Sequence, residues 1–217
     1  MGYNTFIFDF DYTLGDATGG IVRSTNYALK KMGLPAVPQK EVRKAVGMSL
    51  PDTFTFLNKT APPEQRHQFS SFFMEKADQI MTQSTVLFAD TVEVLSRLKK
   101  NGFSLGIVST KRGYRLRQIL NKFCIAHLFD VVIGSDDVKN PKPDPEPLIK
   151  AIEILDTKKE YVIYIGDSLI DAETASSAGV DFVAVTTGAT KKEQFSRFPH
   201  IAVVDSLSNI PGVIRLA

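Results

Sequence analysis

The stretch Phe6-Ile7-Phe8-Asp9-Phe10-Asp11-Tyr12-Thr13-Leu14 limits what this chain can fold into more than any other. Two aromatic residues around a β-branched one predict the end of a buried strand, and two carboxylates follow at once. A strand buried on both faces belongs in a parallel sheet covered by helices, so charge can appear only past its carboxyl end, where open α/β sheets keep their binding crevices. The spacing of Asp9 and Asp11 lets both side chains lean the same way in an extended chain, which suits one metal ion or one phosphoryl group shared between them. Taken alone, the pair is better explained as a polar turn.

Three later stretches shift that balance. Leu105-Gly106-Ile107-Val108-Ser109-Thr110-Lys111 predicts another strand, ending in hydroxyls and a cation. Asn140-Pro141-Lys142-Pro143-Asp144-Pro145 sets a lysine in a proline-stiffened loop that opens a helix. Tyr161-Val162-Ile163-Tyr164-Ile165-Gly166-Asp167-Ser168-Leu169-Ile170-Asp171 is a third strand running into a second acidic pair. Together these residues resemble the haloacid dehalogenase-like (HAD) hydrolase superfamily, whose motifs run D-x-D-x-T, Ser/Thr, Lys and G-D-x-x-x-D. All are present in that order, and the resemblance spans nearly the whole chain. Tyr12 departs from the Gly frequent there, and Thr110 from the Asn frequent in phosphoglycolate phosphatase-like members.

The rest of the sequence predicts an α/β fold with a doubly wound parallel sheet. Strands and helices alternate from Phe88 onward: a helix over 91–100 closed by Asn101-Gly102, strands over 104–109, 131–133, 182–185 and 201–204, and helices over 114–123, 145–155 and 171–178. Between Gly15 and Gln83 the apolar spacing is helical instead, with Pro35, Pro38, Pro51, Pro62 and Pro63 dividing it into about four helices. The resemblance implies that this segment is an inserted all-helical cap of the C1 type. The expected division is a Rossmann-like HAD core over 1–14 and 84–217, and a cap over 15–83. The stripe Phe69-Phe72-Phe73 reads as the cap's core.

The chemistry follows from what each residue type can do. A carboxylate attacks phosphorus to give an aspartyl phosphate, splitting one hard displacement into two easier ones. The resemblance assigns that nucleophile to Asp9. It assigns to Asp11 the general acid that protonates the leaving oxygen and the base that then activates water. Mg²⁺ takes one or two carboxylates with water and phosphate oxygen, and the resemblance gives it Asp9, Asp167 and the backbone carbonyl of Asp11. Asp171 is expected one turn further along the same helix as Asp167, orienting metal-bound water or Lys142. Ser109, the Thr110 N–H and Lys142 are expected to hold the phosphoryl oxygens. Lys111 is read equally as a contact at the cleft mouth or as a surface residue. In the cap, Arg43 lies in Arg43-Lys44-Ala45-Val46-Gly47-Met48-Ser49-Leu50, similar to the cap loop of phosphoglycolate phosphatases, and is assigned a substrate carboxylate or second phosphate.

The expected activity is therefore Mg²⁺-dependent hydrolysis of a small phosphorylated metabolite, phosphoglycolate-like. A phosphoryl-transfer mutase of the β-phosphoglucomutase type, an inorganic pyrophosphatase and a non-catalytic binding protein are the alternatives. Asp11 argues against a true haloacid dehalogenase, which lacks that acid. A net charge of +2 with dispersed basic residues points away from nucleic acid, and no apolar run is long enough for a membrane span. The single cysteine, Cys124, lies between Phe123 and Ile125 and is expected to be a buried thiol in a reducing compartment. With no signal peptide read before the first strand, a cytoplasmic protein is expected, as a monomer or weak homodimer.

Overall fold

A computed structural model describes residues 2–60 and 62–213. They fall into two compact units, one formed by the segment up to Gly15 together with the chain from Leu87 onward, the other by Asp16–Val86.

The first unit is built on a parallel sheet of six strands in the order β5-β4-β1-β6-β7-β8. These are β1 (Thr5–Phe8), β4 (Ser104–Val108), β5 (Val131–Ile133), β6 (Val162–Gly166), β7 (Asp181–Val185) and β8 (Ala202–Val204). The central strand β1 shows why the sheet is buried twice over. Phe6 and Phe8 enter one apolar cluster, with Leu95 and Leu98 of α5 (Thr91–Lys100) and Leu116 and Ile119 of α6 (Gly113–Lys122). Ile7, pointing the other way, joins Leu148 and Ala151 of α7 (Glu146–Ile154) and Ala172 and Ala175 of α8 (Leu169–Ala178). All of these side chains are essentially inaccessible to solvent.

Strand register decides where chemistry can occur. Phe8 is paired with Ile107 on one side and Ile165 on the other, so β1, β4 and β6 end at the same edge. The chain moves outward from β1 through β4 to β5, then crosses back to β6 and proceeds to β8. The reversal places a crevice beside β1, at the carboxyl ends of β1, β4 and β6.

The second unit is helical: α1 (Thr18–Lys31), α2 (Gln39–Arg43), α3 (Leu50–Leu57) and α4 (Gln65–Ser84). Its core is separate from those of the sheet unit, comprising Ala28, Leu29, Phe54, Phe69, Phe73, Ala77 and Met81. Phe54 stacks on Phe69 with centroids 4.9 Å apart. Of the aromatic stripe, Phe69 and Phe73 are buried, while Phe72 is half-buried under the Lys31 ammonium, 5.8 Å from its ring centre. The two passages between the units, β2 (Gly15–Asp16) and β3 (Val86–Leu87), pair as a two-stranded sheet that periodicity did not reveal, since two residues carry no period.

The expected burial of Cys124 is overturned. Its side chain is exposed, because the residue adopts φ +57° as the chain leaves α6 and the inward place goes to Ile125.

Candidate active site

β1 delivers Asp9 directly. The Asp9 N–H donates to Ile165 O at 2.8 Å, continuing the strand ladder by one residue and fixing the side chain at the sheet edge. The chain then turns over Phe10, whose carbonyl accepts from the N–H groups of Thr13, Leu14 and Gly15. Tyr12 pays for this turn with φ +61°, a left-handed conformation that costs a non-glycine residue about 1–2 kcal/mol. Burial of its side chain to 2% exposure offsets that strain. The Tyr12 carbonyl also accepts a short hydrogen bond from the Thr187 hydroxyl. The geometry explains why glycine suits position 12 and how tyrosine is accommodated there.

The other residues arrive from neighbouring strand ends. Ser109 follows β4, is buried, and has its N–H held by Ile133 O at 3.0 Å; its hydroxyl oxygen accepts from the Lys111 N–H at 3.3 Å. Thr110 is half-buried in the same bend. Lys142 sits in the loop before α7, where Glu146 gathers the N–H groups of Lys139 and Asn140, each at 2.9 Å. This clamp and the flanking prolines stiffen the loop, and Lys142 is 4% exposed.

Asp167 and Asp171 are not on one helix as expected. Asp167 lies in the turn after β6, and Ser168 is the N-cap of α8. Asp171 is the third helical residue, forming a capping box with Ser168: the Asp171 N–H donates to Ser168 Oγ at 3.2 Å, and the Ser168 N–H to Asp171 Oδ2 at 3.0 Å. The helix-capping role and a role in the site therefore coexist in Asp171. Gly166 makes this packing possible, because a Cβ there would lie 2.5 Å from the Asp171 carboxyl carbon.

Lys142 ties the set together. Its Nζ lies 2.9 Å from Asp9 Oδ1, 2.6 Å from Asp171 Oδ1 and 2.8 Å from the Tyr164 hydroxyl. Lys111, read from sequence as no more than a rim residue, is buried to 8% exposure and pairs with Asp11 Oδ2 at 2.9 Å. The other Asp11 oxygen is buried with no hydrogen-bond partner among the described residues. Arg43 belongs to the helical unit, where it ends α2 half-buried.

Electrostatics show what this cluster lacks. Four buried carboxylates, Asp9, Asp11, Asp167 and Asp171, face two buried ammonium groups, Lys111 and Lys142. Burial pushes Asp9 up to about 6; Lys142 opposes the rise, and the Asp171 and Asp11 charges add to it. Asp167 is also held well above the ordinary carboxylate range, first by burial and then by the charges of Asp171 and Asp9. Burial alone would lower Lys142, but Asp171 and Asp9 outweigh it and raise its pKa, so the lysine stays charged.

The acid excess fits a divalent cation. Asp9, Asp167 and Asp171 each bring a carboxylate oxygen within 4.8 Å of the others. Asp171 is a poor ligand because Lys142, Tyr164 and Ser168 already occupy both of its oxygens. Asp9 Oδ2 and the Asp167 carboxylate receive no hydrogen bond from the described residues. A Cβ on Gly188 would lie 1.8 Å from Asp167 Oδ2, so the loop after β7 reserves the space that Asp167 occupies.

Sequence reasoning did not single out Tyr164, Thr187 or Gly188. Only Ser168 carried a local signal, the S-x-x-D spacing of a capping box. The Tyr164 hydroxyl reaches Val108, 56 positions away, and the Thr187 hydroxyl reaches Tyr12, 175 positions away.

Comparison with known proteins agrees with this arrangement. A family profile described as haloacid dehalogenase-like hydrolase matches residues 6–185. The pyrophosphatase PpaX of Bacillus mycoides (strain KBAB4) is 30% identical over 214 residues, covering 99% of this chain and 98% of that protein. Among solved structures, one described as a haloacid dehalogenase-like hydrolase from Bacteroides fragilis is 37% identical with TM-score 0.93, covering 96% of this chain and 99% of its own. A predicted phosphatase from Clostridium acetobutylicum is 26% identical with TM-score 0.90, each chain covered to 97%.

Proposed function

The chain belongs to the haloacid dehalogenase-like hydrolase family and is a phosphatase-type hydrolase of that family, and from this premise we propose that it hydrolyses a small anionic phosphate compound through a phosphorylated Asp9. The observation that carries the reading is the pairing of a buried carboxylate, tethered through one oxygen by Lys142, with a second acid that has one oxygen on Lys111 and the other without a partner among the described residues.

In this reading Asp9 Oδ2 attacks phosphorus and the bond from phosphorus to the leaving oxygen breaks. Asp11 gives a proton to that oxygen; it then takes one from water, which attacks phosphorus, releases inorganic phosphate and restores Asp9. Lys142 holds the Asp9 carboxylate in line and offsets charge on the phosphoryl oxygens, while the Ser109 hydroxyl and the Thr110 N–H donate to them. Lys111 positions Asp11 through its ion pair. Mg²⁺ would be held by Asp9, Asp167 and the Asp11 carbonyl, and its charge would let two anions approach each other. Asp171 acts through Lys142.

Substrate choice is assigned to the helical unit, with Arg43 meeting a carboxylate or second phosphate. Phosphoglycolate and inorganic pyrophosphate both carry such a group, and the second is favoured by the pyrophosphatase relative. A cytoplasmic location and a monomer or weak homodimer belong to the same proposal; fractionation and a solution mass would test them.

The experiment is hydrolysis of a panel containing phosphoglycolate, pyrophosphate, sugar phosphates and a neutral aryl phosphate, with and without Mg²⁺. We expect metal-dependent turnover that Asp9→Asn lowers by at least about 10³-fold. Arg43→Ala should raise KM for the doubly anionic compounds and spare the aryl phosphate. Full activity in Asp9→Asn would refute the covalent route, and equal losses on all substrates would remove Arg43 from specificity.

A further inference from the structure

We infer that Tyr164 is a positioning residue for Lys142, setting where the ammonium stands between Asp9 and Asp171. The inference rests on the phosphatase reading and adds a residue outside the motifs that led to it.

An ammonium group has three protons and no acceptor, so its direction is fixed only when three separate acceptors surround it. Lys142 Nζ finds Asp9 Oδ1 at 2.9 Å, Asp171 Oδ1 at 2.6 Å and the Tyr164 hydroxyl at 2.8 Å. Two carboxylates alone would leave the nitrogen free to swing about the line between them. The phenol oxygen supplies the third vertex and adds no negative charge to an already acid-rich cluster. Its own single proton is shared between Val108 O at 2.9 Å and Asp171 Oδ1 at 3.0 Å. Val108 is the last residue of β4 and immediately precedes Ser109, so the tyrosine links the lysine to the strand end that carries a phosphate donor.

The support behind that hydroxyl is rigid. Tyr164 lies in the middle of β6, in register with Ile7 of β1, and is fully buried. Its ring rests against Phe182 of β7, with centroids 6.1 Å apart, and the Lys142 ammonium lies 5.6 Å from the ring centre. A phenylalanine would preserve this packing and remove only the hydroxyl. Lys142 would keep both of its carboxylates and lose its third contact.

The test compares wild type, Tyr164→Phe and Phe182→Leu, with Mg²⁺ present, in kcat and KM for p-nitrophenyl phosphate. Inhibition by orthovanadate and the melting temperature with and without orthovanadate complete the comparison. Tyr164→Phe should lower kcat/KM and weaken orthovanadate inhibition together, each by about tenfold, the size of one hydrogen bond to a charged group. Its melting temperature should fall by only a few degrees, since the buried ammonium keeps two of its three acceptors, while the stabilisation by orthovanadate shrinks. Phe182→Leu, which loosens the ring's support and leaves the hydroxyl, should melt earlier and weaken orthovanadate inhibition less than Tyr164→Phe does. Wild-type kcat and inhibition in Tyr164→Phe would overturn the inference, as would a loss of rate matched by a loss of folded protein at unchanged inhibition. A wild-type protein that neither cleaves the ester nor binds orthovanadate would remove the phosphatase reading and this inference with it. That outcome is distinct from a wild-type enzyme that ignores the variant.

Discussion

Gly188 carries as much information about the site as some of its charged residues. A methyl group there would stand 1.8 Å from Asp167 Oδ2, well inside any allowed contact, so the carboxylate or the loop has to move. Displacement of a positioned group by about 1 Å can cost about 10²-fold in rate. Gly188→Ala should therefore lower kcat/KM by about that factor and raise the Mg²⁺ concentration for half-maximal activity, with the circular dichroism spectrum unchanged. Wild-type activity and metal requirement in this variant would dissociate Asp167 from the metal. Lys111 illustrates the opposite difficulty. In the sequence it is one lysine in a short polar run, and only the fold reveals that its ammonium is buried against Asp11. Tyr12 lies between: its departure from glycine was visible in the chain, but the left-handed backbone that gives the departure meaning was not.

At the scale of the element, α8 shows how one helix start serves both its own cap and the placement of Lys142. The Ser168 hydroxyl accepts from the Asp171 N–H and lies 2.5 Å from Asp171 Oδ2, while Asp171 Oδ1 takes Lys142. The cap thus fixes the rotamer of a carboxylate that in turn holds the lysine. Ser168→Ala removes the cap at a cost of about 1 kcal/mol. For a chain of this size the melting temperature should fall by about 2–4 °C. Ser168→Thr should recover most of that, since it restores the hydroxyl, and differential scanning calorimetry on both variants is the check. Melting of Ser168→Ala at the wild-type temperature would mean that the capping box contributes nothing. The other end of α8 was legible in the chain as Gly179, which takes φ +67°. The helix start was misplaced because Asp167 and Asp171 look alike in a sequence, and only the backbone separates the turn from the helix.

Across the whole molecule, the sheet edge gathers more negative charge than its lysines balance, and stability should report this. Burial raises the pKa of Asp9 from 3.8 to about 6 and raises that of Asp167 as well. Between the ordinary and raised values the folded chain binds more protons than the unfolded chain, so stability falls as pH rises through that window. For Asp9 alone the displacement amounts to roughly 3 kcal/mol. Melting temperatures measured in EDTA should accordingly decline between about pH 4.5 and about pH 6.5. Because a metal competes with protons for these carboxylates, added Mg²⁺ should raise the melting temperature more at about pH 7.5 than at about pH 5. Equal shifts at the two values would count against a carboxylate-held ion.

The sequence by itself determined the class of fold and the residues from which a site could be drawn. Apolar runs that end in carboxylates or hydroxyls have to be buried strands ending at an edge, and alternation with amphipathic helices leaves few arrangements other than a doubly wound sheet. The all-helical segment stood out for the same reason, through its change of period. Tertiary structure decided which of those residues meet and in what state. The third contact of Lys142, the buried pairing of Lys111 and the space left by Gly188 depend on pairings between separate segments of the chain, and the exposure of Cys124 on a left-handed backbone at the end of α6. Strand register and burial set those pairings, and burial also raises the pKa values of Asp9 and Asp167. No local pattern of residues encodes a partner that lies a hundred positions away.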